Sequence, residues 1–174
     1  MKHTSLLFLV FLLSGIPGLV QRAEAQVMVQ AEIFAEVISA ITANETAQLN
    51  FGKFSPTTQG GQVLITPDGS RTSTGTVVLS QGPHHAAGFY ITGENNATFS
   101  ISLPTAPAVI TNVSNAKTMT VADWISIPPQ GSGMGVLAGG AQEIKVGATL
   151  FVGSMNDNPV GLYSGTYQIK FDYN

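Results

Sequence analysis

Apolar and polar residues alternate along most of this chain. Strict alternation over four to eight residues is typical of a half-buried β-strand. Turn-forming residues separate the alternating segments, and no segment gives a convincing helical pattern. The predicted strands are 47–54, 62–66, 74–80, 86–92, 97–103, 117–127, 141–152 and 161–174. Many short antiparallel strands with turns between them predict an all-β fold, an antiparallel β-sandwich.

A longer alternation precedes these strands. The apolar residues at 27, 29, 31, 33, 35, 37 and 41 all have odd numbers, and Gln30, Glu32 and Glu36 have the opposite parity. The pattern continues to Ile41, beyond the usual strand length of about 5–6 residues. It therefore predicts two strands, or an extension followed by a strand. The inward-facing positions would be Val27, Val29, Ala31, Ile33 and Ala35.

The carboxyl-terminal segment alternates in the same way. Its apolar positions are Tyr163, Tyr167, Ile169, Phe171 and Tyr173, and Gly161 precedes them. Because no residue follows Asn174, we expect this strand to form the edge of a sheet and to be open to a partner. Two glycine-rich stretches, 59–61 and 131–140, are predicted to be loops.

Residues 1–25 have the pattern of a signal peptide. Lys2 precedes an unbroken apolar run at 6–13, and 23–25 (Ala-Glu-Ala) offers small residues to a signal peptidase. The alternative is a membrane anchor, although a glycine- and proline-containing second half makes a poor spanning helix. Cleavage would leave residues 26–174 as one exported domain with no later membrane-spanning segment.

Composition narrows the functional classes. Charged residues make up only 10% of the chain and the net charge is −3, so nucleic-acid binding is not expected. There is no cysteine, which leaves an exported domain without disulfides and without a thiol nucleophile.

Few residues suggest catalysis or metal binding. Adjacent His84 and His85 would point apart on an extended chain and are predicted to be surface residues. Asp123 interrupts an apolar face and is predicted to sit at a bulge or a satisfied polar position, with a catalytic acid as the alternative. A calcium loop at 156–158 is the alternative to a plain turn. We therefore predict no catalytic residue, no metal, no cofactor and no enzymatic activity.

The tail resembles the carboxyl-terminal signature of bacterial pilus subunits that a chaperone and an usher assemble. Gly161 is fourteenth from the end and Tyr173 is second from the end, as in that signature. Together with the tail, segments 49–52, 89–93, 98–101 and 146–150 resemble a family of exported bacterial pilin-like domains of unknown function. The absence of cysteine departs from the disulfide that many pilus subunits carry.

This resemblance implies an immunoglobulin-like, pilin-like sandwich at 45–174, whose sheet a neighbouring subunit completes. Residues 26–44 would be an amino-terminal extension or donor strand. Gly161 and the apolar tail positions would form the acceptor edge. The expected partners are other copies or other pilus subunits, a periplasmic chaperone and an outer-membrane usher.

Two functions follow as hypotheses. The first is a structural subunit of a surface fimbria or pilus, exported through the periplasm and assembled by donor-strand complementation. The alternative is a monomeric exported β-sandwich that binds a carbohydrate or a protein at the cell surface. A leader strand that is free to pair with another subunit favours the structural subunit over the monomeric binding domain.

Overall fold

Strands make up nearly all the regular structure of residues 25–174, the part of the chain that the computed structural model describes. The predicted signal peptide, apart from Ala25, lies outside the described residues. In the described part, no helix is long and apolar enough to cross a membrane.

Residues 25–36 belong to a unit separate from residues 37–174, and each unit is described by itself. We call 25–36 the leader segment. None of its residues lies in a strand or helix, and its large apolar side chains are exposed. Within residues 25–174 the first strand begins at Thr42.

Residues 37–174 form eleven strands and one short 3-10 helix. The strands are β1 Thr42–Ala47, β2 Phe54–Ile65, β3 Arg71–Leu79, β4 Ala87–Thr92, β5 Thr98–Ser102, β6 Ala108–Asn112, β7 Thr118–Ile127, β8 Gly131–Val136, β9 Ala141–Val152, β10 Tyr163–Ser164 and β11 Lys170–Tyr173. The 3-10 helix, Ala138–Gly140, joins β8 to β9.

These strands form two sheets, and every pairing is antiparallel. The larger sheet has the order β1-β4-β9-β7-β6-β10, with the β2–β3 pair joined to β9. The smaller sheet has the order β11-β5-β8. Alternating side chains from both sheets share one apolar core, which includes Phe99, Ile101, Ile144 and Leu150. The all-β antiparallel prediction is confirmed, and the arrangement is consistent with a β-sandwich.

The prediction that 131–140 is a loop is wrong for its first part, which is β8 and pairs with β5. A Cβ at Gly135 would collide with the ring of Phe99. Glycine is usually unfavourable in a strand, but here it makes room for a core aromatic residue. Residues 59–61 likewise lie inside β2, where a bulge accommodates Gly60 at φ +75°.

The predicted strand at 47–54 is also wrong, because β1 ends at Ala47 and β2 begins at Phe54. Between them the guanidinium of Arg71 donates to the carbonyls of Phe51 and Lys53, at 3.0 and 3.3 Å. The Lys53 carbonyl also accepts from the backbone N–H of Ser80 at 2.9 Å, so Arg71 adds a side-chain donor to carbonyls that lie outside the strand ladders.

The tail is not one continuous strand. β10 pairs with β6 in the larger sheet, β11 pairs with β5 in the smaller sheet, and 165–169 lies in neither. A Cβ at Gly165 would meet the carbonyl of Val109. The missing side chain lets the tail run close to β6 before it passes from one sheet to the other.

Candidate partner-binding site

The apolar positions of the tail all face the core. Each is half-buried and packs against the core cluster: Tyr163, Tyr167, Ile169, Phe171 and Tyr173. The residues between them, except Asp172, are exposed. Alternation thus identified which tail side chains point inward. These side chains belong to β10, to β11 and to the segment 165–169 that connects the two strands.

The first part of the predicted acceptor edge lies on the larger sheet. Tyr163 donates a hydrogen bond from its hydroxyl to the carbonyl of Pro159, at 2.9 Å. Gly161 is exposed, and a Cβ there would collide with the buried side chain of Asn112. Gly161 and Tyr163 therefore fix the start of the tail against β6.

The second part of the predicted edge is β11, an end strand of the smaller sheet. One side of β11 pairs with β5, and its other side pairs with no strand of residues 25–174. The ring of Phe171 lies 6.0 Å from that of Phe89 and 6.2 Å from that of Phe99. Phe171 thus joins β11 to the core and to β4 of the larger sheet.

β1 is the corresponding end strand of the larger sheet. The residues at and around β1 and β4 include apolar side chains that are only half-buried against the core: Ile41, Leu49, Phe51 and Phe89. Each sheet therefore ends in a strand with one unpaired edge, and the core is incompletely covered near both strands. We call this region, between the free edges of β1 and β11, the acceptor region.

A polar cluster links the two sides of the acceptor region. The Tyr173 hydroxyl donates to the carbonyl of Ser39 at 2.8 Å and accepts from the backbone N–H of Glu94 at 2.6 Å. The carboxylate of Glu94 accepts from the backbone N–H of Ser39 at 3.1 Å. A Cβ at Gly93 would collide with the Tyr173 hydroxyl, so glycine is needed there. The chain just before β1 is therefore fixed beside β11.

Tyr167 lies on Trp124 of β7 at a ring-centroid distance of 4.7 Å and an interplanar angle of 31°. Burial, followed by the nearby negative charge of Glu45 on β1, raises the pKa of Tyr167 to about 12. The segment between β10 and β11 thus contributes a phenol that packs against the core on β7.

The predicted donor positions are exposed in the leader segment. Val27 is 85% exposed, Val29 84% and Ile33 94%, and Ala31 and Ala35 are exposed as well. Exposure of so many apolar side chains in one short stretch is typical of a segment that binds a partner.

The other candidate residues have structural settings. His84 and His85 are exposed, and the ring Nδ1 of His84 lies 3.1 Å from the carbonyl of Gly82. Asp123 is exposed at φ +51° within a bulge of β7, as the bulge prediction expected. Asn158 is buried, donates to Thr118 O and accepts from Gly153 N, so 156–158 belongs to a structural turn. Within the described residues no cluster of three potential metal ligands occurs.

The sequence pattern of a domain of unknown function, DUF4402, matches residues 41–173. The chain belongs to the DUF4402 family. No curated protein and no solved structure matches it.

The DUF4402 match begins one residue before β1 and ends at the last residue of β11. It therefore includes both end strands of the acceptor region and none of the leader segment. Sequence reasoning missed three features of this domain: the Arg71 contacts, the Ser39–Glu94–Tyr173 cluster and the Trp124–Tyr167 stack. No local signal could have found them, since Ser39 and Tyr173 are 134 residues apart.

Proposed function

We propose that this protein is a structural subunit of a bacterial surface fibre, a fimbria or pilus. The leader segment of one copy would insert into the acceptor region of the next copy and complete its pilin-like, immunoglobulin-like sandwich. Export would pass through the periplasm, with a chaperone holding the acceptor region before an outer-membrane usher assembles the fibre. The subunit would have a structural role and no catalytic one.

The observation that carries this proposal is a complementary pair within one chain. The leader segment presents exposed apolar side chains at alternate positions and has no strand partner among residues 25–174. β11 presents an unpaired edge beside half-buried apolar residues. An extended segment added to a sheet edge gains backbone hydrogen bonds, and its alternate side chains enter the core.

The two halves of this pair are different segments of the subunit, one in the leader segment and one at β11. Contact between two unlike surfaces of identical subunits is heterologous, and repetition of such a contact gives an open fibre unless it closes into a ring. The low content of charged side chains, 10% of residues, is compatible with close packing of many copies.

The test compares two carboxylate substitutions of opposite parity in the leader segment. Ile33→Asp places a charge where an apolar side chain would be buried, which is costly. Gln30→Asp places the same charge on the outward face. We expect size-exclusion chromatography with light scattering to find multimers for the exported wild type and for Gln30→Asp, and monomers for Ile33→Asp. A monomeric wild type, or equal effects of both substitutions, would contradict the proposal.

A further inference from the structure

The outer face of the larger sheet carries an aromatic side chain that is not part of the core. Leu150 and Val152 of β9 are buried in the core cluster, so alternation turns Phe151, which lies between them, to the opposite face. Phe151 is half-buried there. The strand register places Gln62 of β2 on one side of it and Thr120 of β7 on the other. Because directly paired residues share a face of the sheet, polar side chains flank the ring on both sides.

These three residues line an open cleft of about 550 Å³. Thr74 and Thr118 also line it, as does the turn after β9, which contributes Asp157. Pockets that bind small molecules usually have volumes of about 300–1,000 Å³ and combine apolar surface with a few polar groups that orient the ligand. The cleft has this size and this combination of groups.

Close contacts of the backbone fix two walls of the cleft. On the β2–β3 side, a Cβ at Gly61 would collide with the carbonyl of Thr74, so the two strands approach more closely than side chains would allow. On the β7 side, the amide of Asn158 donates to the carbonyl of Thr118 at 2.8 Å and accepts from the N–H of Gly153 at 2.6 Å. The cleft is therefore formed without a ligand, which lowers the entropic cost of binding one.

The polar groups of the lining define the ligand class. Hydroxyl and amide groups both donate and accept hydrogen bonds, so they match ligand groups that do the same, as the hydroxyls of a sugar do. The Asp157 carboxylate accepts from the Ser154 hydroxyl at 2.6 Å, which lowers the pKa of Asp157 and favours its ionised form. An ionised carboxylate only accepts, so it suits a ligand with several hydroxyl donors. No lysine or arginine of residues 25–174 lines the cleft, which disfavours phosphates and other anions.

The ring of Phe151 supplies the apolar contact. A pyranose ring has a face of C–H groups that packs against an aromatic ring, while its hydroxyls surround its rim. Neighbouring strands are about 4.8 Å apart, so about 10 Å separate Gln62 from Thr120 across Phe151. A sugar ring placed on Phe151 therefore has polar side chains on both sides.

We propose that this cleft is a carbohydrate-binding site, in which a neutral sugar lies on Phe151 and its hydroxyls bond to the surrounding threonine, glutamine and aspartate side chains. This activity goes beyond the structural role proposed above and does not depend on it, since the lining residues all lie between 61 and 158. In a fibre the site would be repeated in every subunit, and many weak sites together bind a polysaccharide strongly.

Isothermal titration calorimetry of the exported chain tests the site with four neutral tetrasaccharides: cellotetraose, xylotetraose, maltotetraose and chitotetraose. We expect at least one of them to bind with a Kd on the order of 1 mM or lower. In saturation-transfer NMR, the C–H protons of that sugar should receive magnetisation when the aromatic protons of the protein are irradiated. Binding of none of the four would overturn the proposal.

Three substitutions locate the bound sugar. Phe151→Leu keeps an apolar side chain but removes the ring face, so the affinity should fall about tenfold. Thr118→Val and Thr120→Val each remove one hydroxyl at nearly constant shape, and each should weaken binding about fivefold. Valine is favourable in strands, so these two variants decide the question even if Phe151→Leu does not fold. Thr72→Val is the matched control, because Thr72 is exposed on the same face of the sheet but outside the cleft.

The control variant and light scattering complete the design. If a sugar binds and no cleft substitution weakens it, or if Thr72→Val weakens it equally, the sugar binds elsewhere and the proposal is wrong. The cleft substitutions should leave the formation of multimers unchanged. A protein that stays monomeric and binds sugar through this cleft would support the site and contradict the proposed fibre, so the two proposals fail separately.

Discussion

The leader segment and the tail have the same sequence pattern and opposite environments. Both carry apolar residues at successive odd positions, although Met28 and Phe34 of the leader segment are apolar at even positions. In the tail, Phe171 packs on Phe89 and Phe99, whereas in the leader segment Ile33 is 94% exposed. Alternation therefore identifies a segment that can form one face of a sheet, but it does not identify the chain to which that sheet belongs.

The largest expected effect comes from a charge placed in the tail, at the position of Phe171. Phe171→Asp removes a core aromatic ring, a loss that typically costs about 3–5 kcal/mol, and adds a charge that must be desolvated. We expect the domain to lose its cooperative urea-unfolding transition. A variant that unfolds like the wild type would show that the tail is not part of the core.

A smaller loss is expected where the tail meets the chain before β1. Tyr173→Phe leaves the Ser39 carbonyl and the Glu94 N–H without the hydroxyl that they share. The free energy of unfolding should fall by about 1–2 kcal/mol in urea titrations. Exchange of the Glu94 amide with deuterium should also become faster, and unchanged exchange would refute the role of this cluster.

The buried phenol of the tail should make stability depend on alkaline pH. The pKa of Tyr167 is about 12 in the folded protein and 10.0 for an ordinary tyrosine, so folding favours the protonated form. This contribution is complete below pH 10 and is lost as the pH rises toward 12. Between pH 10 and 12 the wild type should therefore lose more stability than Tyr167→Phe, as followed by circular dichroism. Parallel losses would contradict the burial of this hydroxyl.

The smallest effect on the single subunit is expected in the leader segment. Because Ile33 is almost fully exposed, Ile33→Asp should change the free energy of unfolding of a monomer by less than about 0.5 kcal/mol. An aspartate at position 171, by contrast, is expected to abolish the cooperative unfolding of the domain. If Ile33→Asp destabilises a monomer by several kcal/mol, the leader segment completes its own domain.

The sequence predicted some elements of this fold well and others poorly. β4, β5, β7 and β9 follow the predicted alternation within a residue or so, because both their pattern and their turns are local. β8 was missed because its glycines fit around Phe99, a contact that depends on another strand. β6 was missed because it is short, although its Val109-Ile110-Thr111 run is a weak strand signal.

The candidate site could be predicted only in part for the same reason. The inward parity of the tail followed from alternation alone. Its division between two sheets did not, since it depends on the close approach of Gly165 to β6. The Trp124–Tyr167 stack depends on a bulge at Asp123, which was one of three interpretations of that residue from the sequence. The sequence did not show which ring the bulge would turn inward.

Disulfide trapping tests the central claim, that the leader segment of one copy lies along β11 of another, most directly. The chain has no native cysteine. Ile169→Cys is combined with one leader cysteine at a time, at each position from 27 to 35, and the exported protein is oxidised and separated without reductant. A disulfide joins only Cα atoms within about 7 Å of each other. We therefore predict a ladder of covalent multimers for the one or two odd positions that lie opposite residue 169, and none at even positions. Crosslinks confined to single chains, or multimers without this parity, would contradict the account.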